Sequence, residues 1–126
     1  MIDRFKFRVW DKRLYRYIGN NDPTQMLLEN GNLAYLDDDG MKFYEVEFCT
    51  GLKDKNGKLI YEGDLIKEPA NKHNLEVFYE NGAWQTREYR KNGNREQLLY
   101  VLINCYGVEV IGNIHENADL IKVGGK

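Results

Sequence analysis

The dipeptide Asn-Gly recurs four times, at Asn30-Gly31, Asn56-Gly57, Asn81-Gly82 and Asn92-Gly93, with Asp39-Gly40 as a near relative. Both residues of such a pair tolerate positive φ, which the two-residue turns of β-hairpins demand and most side chains resist. A chain punctuated in this way is committed to antiparallel strands joined by tight turns. The segments between the turns agree. Phe5, Phe7 and Val9 alternate with Lys6, Arg8 and Trp10, the period of a strand with one face buried. Phe43 to Phe48, Leu59 to Tyr61, Leu65-Ile66, Leu75 to Tyr79 and Val108 to Ile114 are rich in the β-branched and aromatic side chains that suit a pleated sheet.

The stretch from Arg95 to Cys105, REQLLYVLINC, breaks the pattern. Its apolar residues are too dense for alternation and several are good helix formers, so it reads as a short helix, with a buried strand as the alternative that periodicity cannot separate. Near the C-terminus Asn117 is placed to cap a last helical turn through Asp119 and Leu120. An internal boundary is expected at residues 49 to 53. That divides the chain into an N-terminal β-hairpin layer (1–49), a small, strongly bent β-barrel (50–121) and a mobile GGK-ended tail (122–126). Gly63, just before Leu65-Ile66, suits a sharp entry into a barrel strand.

With 126 residues, 42% hydrophobic and 30% charged, the chain has enough apolar material for one core and lies outside the regime of disorder. Its net charge of −2 gives no overall field toward nucleic acid or an acidic membrane, so any such contact must be local. The N-terminus carries Asp3, Arg4, Lys6 and Arg8 with no signal-peptide apolar run, and no later segment reaches the roughly 20 apolar residues of a membrane span. The expectation is a cytoplasmic protein with Cys49 and Cys105 reduced.

Candidate chemistry is sparse. The sequence contains no serine, which excludes serine nucleophiles outright. Cys49 in FCTGL has no neighbouring cation or base implied to activate it, and behaves on this reading as a small apolar residue. His73 and His115 stand apart from each other and from both cysteines, without the close ligand pairs of a zinc site. Asp37-Asp38-Asp39-Gly40 and Asp54-Lys55-Asn56-Gly57 invite a calcium reading, but an EF-hand loop needs a carboxylate eleven residues after the first, where these supply Phe48 and Leu65. The expectation is therefore no catalytic residues, no cofactor and no metal.

Charge is distributed less evenly than its sum suggests. Arg4, Lys6, Arg8, Lys12, Arg13 and Arg16 crowd the N-terminal segment among Trp10, Tyr15 and Tyr17, and Lys6, Arg8 and Trp10 fall on one strand face. A second cluster gathers Arg87, Arg90, Lys91 and Arg95 around Trp84 and Tyr89. Between them, Glu29 to Glu47 carries six acids against Lys42. Three readings stay open: solvated outer faces of antiparallel sheets, association of basic with acidic surfaces between copies, and a local nucleic-acid surface combining cations with stacking aromatics. The candidate interaction residues are Lys6, Arg8, Trp10, Trp84, Arg87, Tyr89 and Arg90.

Three blocks together resemble the YopX family of phage and prophage proteins: FKFRVWD (Phe5 to Asp11), TGLKDKNGKLIYEGDLIK (Thr50 to Lys67) and VEVIGNIHENADLI (Val108 to Ile121). The chain departs from the family pattern at Cys49, His115 and Ala118. The resemblance implies an SH3-like barrel from about Thr50 with the N-terminal β-hairpin strands as an extension, and with the short helix read from the residues above, the expected fold is mainly β. It supplies no catalytic residue, cofactor or substrate to carry over. By analogy with that fold, the expected role is a non-enzymatic protein-interaction module that binds copies of itself or a phage or host protein; accessory nucleic-acid binding is the alternative.

Overall fold

The computed structural model describes residues 6–17, 44–69 and 73–121. The turns at Asn30-Gly31 and Asp39-Gly40, the acidic run Asp37 to Asp39 and the tail 122–126 lie outside the described residues. The described strands are β1 (Phe7–Asp11), β2 (Arg16–Tyr17), β3 (Tyr44–Lys53), β4 (Leu59–Tyr61), β5 (Asp64–Lys67), β6 (Leu75–Glu80), β7 (Ala83–Glu88), β8 (Arg95–Leu98) and β9 (Glu109–Asn113). Helix α1 (Leu99–Cys105) separates β8 from β9, and a 3-10 turn spans Ala118–Ile121. The protein is mainly β, with two antiparallel sheets, one curled into a half-barrel. Strand order is β2-β1-β3-β4 in one and β8-β7-β6-β5-β9 in the other.

By contact density the chain divides into two compact units, Phe7–Glu47 and Phe48–Lys126 with Met1–Lys6. The larger unit holds the core of Ile60, Ile66, Leu75, Val77, Leu99, Leu102 and Val108, with Leu52, Trp84, Ile103 and Val110 packed against it. Leu75 and Val77 alternate inward along β6, as period-2 patterning requires. The β6–β7 hairpin turns through Asn81 (φ 55°) and Gly82 (φ 79°), both positive as a type I′ turn needs. Its register pairs Val77 with Thr86 and Tyr79 with Trp84.

The segment expected to be one helix is two elements. Arg95–Leu98 pairs with β7, Glu88 opposite Arg95 and Arg87 opposite Glu96, before the backbone coils at Leu99. The reason lies in the side chains. The polar residues Arg95, Glu96 and Gln97 suit an edge strand, whereas Leu99, Leu102 and Ile103 recur at i, i+3 and i+4 and turn one helical face into the core. Helix α1 ends at Tyr106, after which Gly107 (φ 75°) donates its N–H to the carbonyls of Leu102 and Ile103, a left-handed closure.

A helical turn does follow Asn117, whose carbonyl accepts the Leu120 N–H at 2.9 Å, but its side chain is turned away from that cap. The side-chain oxygen accepts from the backbone N–H of Asn113, 3.1 Å away, so it ties the chain back to the end of β9. Gly112 makes room for this contact, since a Cβ there would lie 2.4 Å from that same oxygen.

Candidate interaction surface

Two opposite margins bound the five-stranded sheet. At the β9 margin, Asp54 enters from the turn after β3 and is 7% exposed. Its Oδ1 accepts the backbone N–H groups of Asn56 and Lys58, both at 2.9 Å, and its Oδ2 accepts the N–H of Val110 at 3.0 Å. Burial pushes this carboxyl up, but those three N–H groups and the charge of Lys58 outweigh it and hold the pKa below its ordinary value. Next to it, the Lys55 N–H donates to the Val108 carbonyl at 2.8 Å. The outer rim of β9 is thus already occupied by the 54–55 turn.

At the other margin, β8 is the terminal strand, and among the described residues no strand pairs with its outer side. The chain then enters α1; the exposed apolar residues here are Leu98 (47%) at the end of β8, Tyr100 (63%) and Val101 (41%) on the helix and Tyr106 (59%) at its C-cap, with Asn104 and Cys105 also exposed on the helix. Tyr100, Val101, Asn104 and the exposed Cys105 fall at i, i+1, i+4 and i+5, the side of the helix opposite the buried Leu99 and Leu102. Helix α1, LYVLINC, contains no charged residue.

The basic cluster on β7 is spent within the sheet. Arg87 Nε lies 2.8 Å from Glu96 Oε2, Nη2 lies 4.0 Å from Glu80, and the guanidinium sits 4.1 Å over the Phe78 ring. Burial opposes its charge, yet hydrogen bonds with Glu96 and Tyr89 prevail and raise its pKa. Tyr89 donates its hydroxyl to Glu76, and burial with that bond pushes the phenol up. Trp84 stacks edge-on against Tyr79, ring centres 5.0 Å apart, with one side against the core. Arg90 donates to Glu88 Oε1 at 3.1 Å. Glu88 is 2% exposed; its Oε2 has no hydrogen-bond partner among the described residues, with His73 Nε2 3.6 Å away. Lys91 and Arg95 have no ionic partner there.

In the smaller unit, Arg8 Nε donates to Glu47 Oε1 at 2.8 Å, Tyr17 donates its hydroxyl to the same oxygen at 3.0 Å, and the Arg8 guanidinium sits over the Tyr17 ring. Trp10 is 2% exposed, not part of an outward stacking face as the alternation predicts, because Tyr15 and Tyr17 pack edge-on against its ring at 5.0 and 4.9 Å. Val9, Trp10 and Asp11 are buried in succession, which simple alternation does not allow. In the larger unit, Lys6 is half-buried and its carbonyl accepts the Cys49 N–H at 2.9 Å. Cys49 itself is buried, with Sγ accepting from the Gly51 N–H.

Of the predicted interaction residues, Trp84 and Arg87 lie on β7 and Tyr89 and Arg90 just after it; Arg87, Tyr89 and Arg90 each engage a carboxylate, whereas Trp84 packs on Tyr79 and the core. The apolar face of α1 was hidden in the sequence by the density of its leucines. Its signal is that Tyr100, Val101 and Cys105 fall off the i, i+3, i+4 set of Leu99, Leu102 and Ile103, readable once the strand is taken to stop at Leu98. No described helix is long and apolar enough to cross a membrane.

The sequence profile of the family described as YopX protein matches residues 6–122, nearly the whole chain. No curated protein matches. Among solved structures, the chain is similar to protein EF1440 from Enterococcus faecalis, with a TM-score of 0.62 and 26% identity, covering 93% of this chain and 97% of that one.

Proposed function

The chain belongs to the YopX family, and from that premise we propose that it is a non-catalytic protein-interaction module of phage or prophage origin, acting in the bacterial cytoplasm. The observation that carries this reading is the exposed apolar run from the end of β8 through the uncharged helix α1 to its C-cap, where Leu98, Tyr100, Val101 and Tyr106 lie within nine residues of one another. Scattered exposed apolar residues need no explanation, but a run of them beside a strand edge that no described strand pairs is the usual mark of a contact surface. An SH3-like reading of the larger unit belongs to the same proposal: its five-stranded antiparallel order, with a short helix before the last strand, is compatible with such a barrel, and such barrels commonly serve as docking platforms.

The rival reading, a nucleic-acid surface, loses its strongest residues. Arg8, Arg87 and Arg90 each lie on a carboxylate, and phosphate contact would have to displace Glu47, Glu96 and Glu88. Trp10 is enclosed by tyrosines and offers no ring face to a base.

Photo-crosslinking from position 100, with Tyr100 replaced by benzoylphenylalanine and Tyr79 replaced in parallel, tests the proposal in cells. A discrete protein adduct from position 100, absent from position 79, is the expected result. If position 100 gives no adduct, while the purified protein binds labelled oligonucleotides with an affinity that falls steeply between about 50 and about 200 mM salt, the interaction-module reading is wrong.

A further inference from the structure

The described Asn-Gly turns share a dipeptide but differ in how the glycine nitrogen is held. At Asn56-Gly57 the Gly57 N–H donates to the Asp54 carbonyl at 3.0 Å, while Asp54 Oδ1 accepts the N–H groups of Asn56 and Lys58, both at 2.9 Å. That nitrogen is tied down. At Asn92-Gly93 the Gly93 N–H reaches the Arg90 carbonyl at 3.4 Å, longer than an ordinary N–H···O bond. At Asn81-Gly82 the pairing of Glu80 with Ala83 closes the hairpin, and the Gly82 N–H makes no hydrogen bond among the described residues. Both residues there are exposed, and Asn81 is held at φ 55°, the left-handed region that L-residues adopt at a cost.

The difference matters because an Asn-Gly pair carries a reaction of its own. The glycine nitrogen, on losing its proton to solvent, attacks the asparagine Cγ; the new N–Cγ bond closes a succinimide ring, the Cγ–Nδ2 bond breaks and ammonia leaves. Water then opens the ring. Addition at Cγ gives aspartate on the original backbone, and addition at the former backbone carbonyl gives isoaspartate, whose main chain runs through Cβ and Cγ. In sum, one amide and one water become one carboxylic acid and one ammonia. Glycine favours the first step, since no Cβ crowds its nitrogen.

We propose that Asn81 is a self-modification site of the folded protein, converted through a succinimide to aspartate and isoaspartate ahead of Asn92 and Asn56. The order follows from what each turn must give up. Asn81 sacrifices no hydrogen bond of the Gly82 nitrogen and leaves a strained conformation as it rotates. Asn92 releases one long bond. Asn56 releases the bond from Gly57 to Asp54 and, to rotate, its own N–H from Asp54 Oδ1 as well. The net worth of one ordinary hydrogen bond corresponds to about fivefold in rate, so Asn56 trails Asn81 by at least that factor. No partner is required, because water is the sole co-reactant.

The product changes the hairpin. Either acid adds a carboxylate beside Glu80 at the tip. Isoaspartate also lengthens the backbone of a two-residue turn whose fit depends on its length, which loosens the Glu80–Ala83 pair and the Tyr79–Trp84 contact next to it.

Purified full chain aged at mildly alkaline pH, in buffer and in parallel in denaturing urea, then digested at acidic pH for peptide mass spectrometry, reads the conversion at each asparagine. In urea the sites keep the dipeptide and lose the turns, so their rates are expected to agree within about threefold. In buffer the expected order is Asn81, Asn92, Asn56, with at least about fivefold between first and last. A folded protein in which Asn56 or Asn92 converts as fast as Asn81 overturns the inference. So does an Asn81 that stays intact in buffer while the urea sample reacts. The same spread of rates in urea would assign the order to neighbouring residues and not to the turns, and would overturn it equally.

Discussion

Two buried carboxylates lie toward opposite margins of the five-stranded sheet, and their surroundings differ. Asp54, at the β9 margin, has each oxygen hydrogen-bonded to backbone N–H groups, those of Asn56, Lys58 and Val110. Glu88, on the strand next to the β8 margin, has one oxygen on Arg90 and the other without a hydrogen bond among the described residues. The first carboxylate joins elements 56 residues apart and covers a strand edge. The second covers nothing. Among the described residues, the sheet is thus closed with backbone donors at the β9 margin, whereas toward the β8 margin a buried carboxylate keeps one oxygen without a hydrogen bond.

The contrast breaks most easily at Asp54. Asp54→Ala removes the acceptor of three N–H groups; the two in the turn can reach water, while the Val110 N–H is partly buried, so the expected loss is about 3 kcal/mol of stability. Urea denaturation reads it as a lower midpoint with unchanged slope. The pH dependence has a definite sign. Because the folded state lowers this pKa, the contribution is complete above the ordinary carboxylate value and fades as pH falls through the lower folded-state value. The parent should therefore lose stability on acidification below about pH 4, and Asp54→Ala should show a flatter acid limb. Parallel acid limbs would mean that other carboxylates govern it.

How far the sequence discloses this arrangement depends on the range of each interaction. Asp54 in DKNGK carries a local signal, since an aspartate two residues before an amide it can bind makes an Asx-turn, and the Asn56 contact is of that kind. Its bond to Val110 has no local signal and needs the fold. The hairpin through Asn81-Gly82 was legible because positive φ is a property of two adjacent residues. The burial of Trp10 was not, because Tyr15 and Tyr17 cover it only after the chain reverses between β1 and β2. The basic clusters were legible as composition and misleading as surface: Arg87 reaches Glu96 only through the β7–β8 register, and Arg8 reaches Glu47 across 39 residues. Family membership came from the blocks Thr50 to Lys67 and Val108 to Ile121, which hold the turn and strand that the Asp54 contacts join.

Glu88→Gln sharpens the comparison at the second carboxylate. The amide keeps the oxygen that Arg90 reaches and removes a buried charge whose other oxygen lacks a hydrogen bond, so the gain in desolvation offsets the weakened ion pair. The expected change at neutral pH is below about 1 kcal/mol, under a third of that for Asp54→Ala. A loss as large as that at Asp54 would show that Glu88 is an organising group of the sheet, and the asymmetry between its margins would have to be given up.

Arg95 gives the smallest effect and the finest distinction. The β7–β8 register sets it opposite Glu88, yet it is exposed and has no ionic partner among the described residues. As an exposed, unpaired side chain on an edge strand, it should be replaceable: Arg95→Ala is expected to shift stability by less than about 0.5 kcal/mol, with no dependence on salt. A larger loss that disappears in high salt would mean that the guanidinium swings onto Glu88 in solution and satisfies that oxygen. In that case both carboxylates are fully engaged, and what still separates the two margins is backbone alone: an edge occupied by the 54–55 turn and an edge to which no described strand is paired.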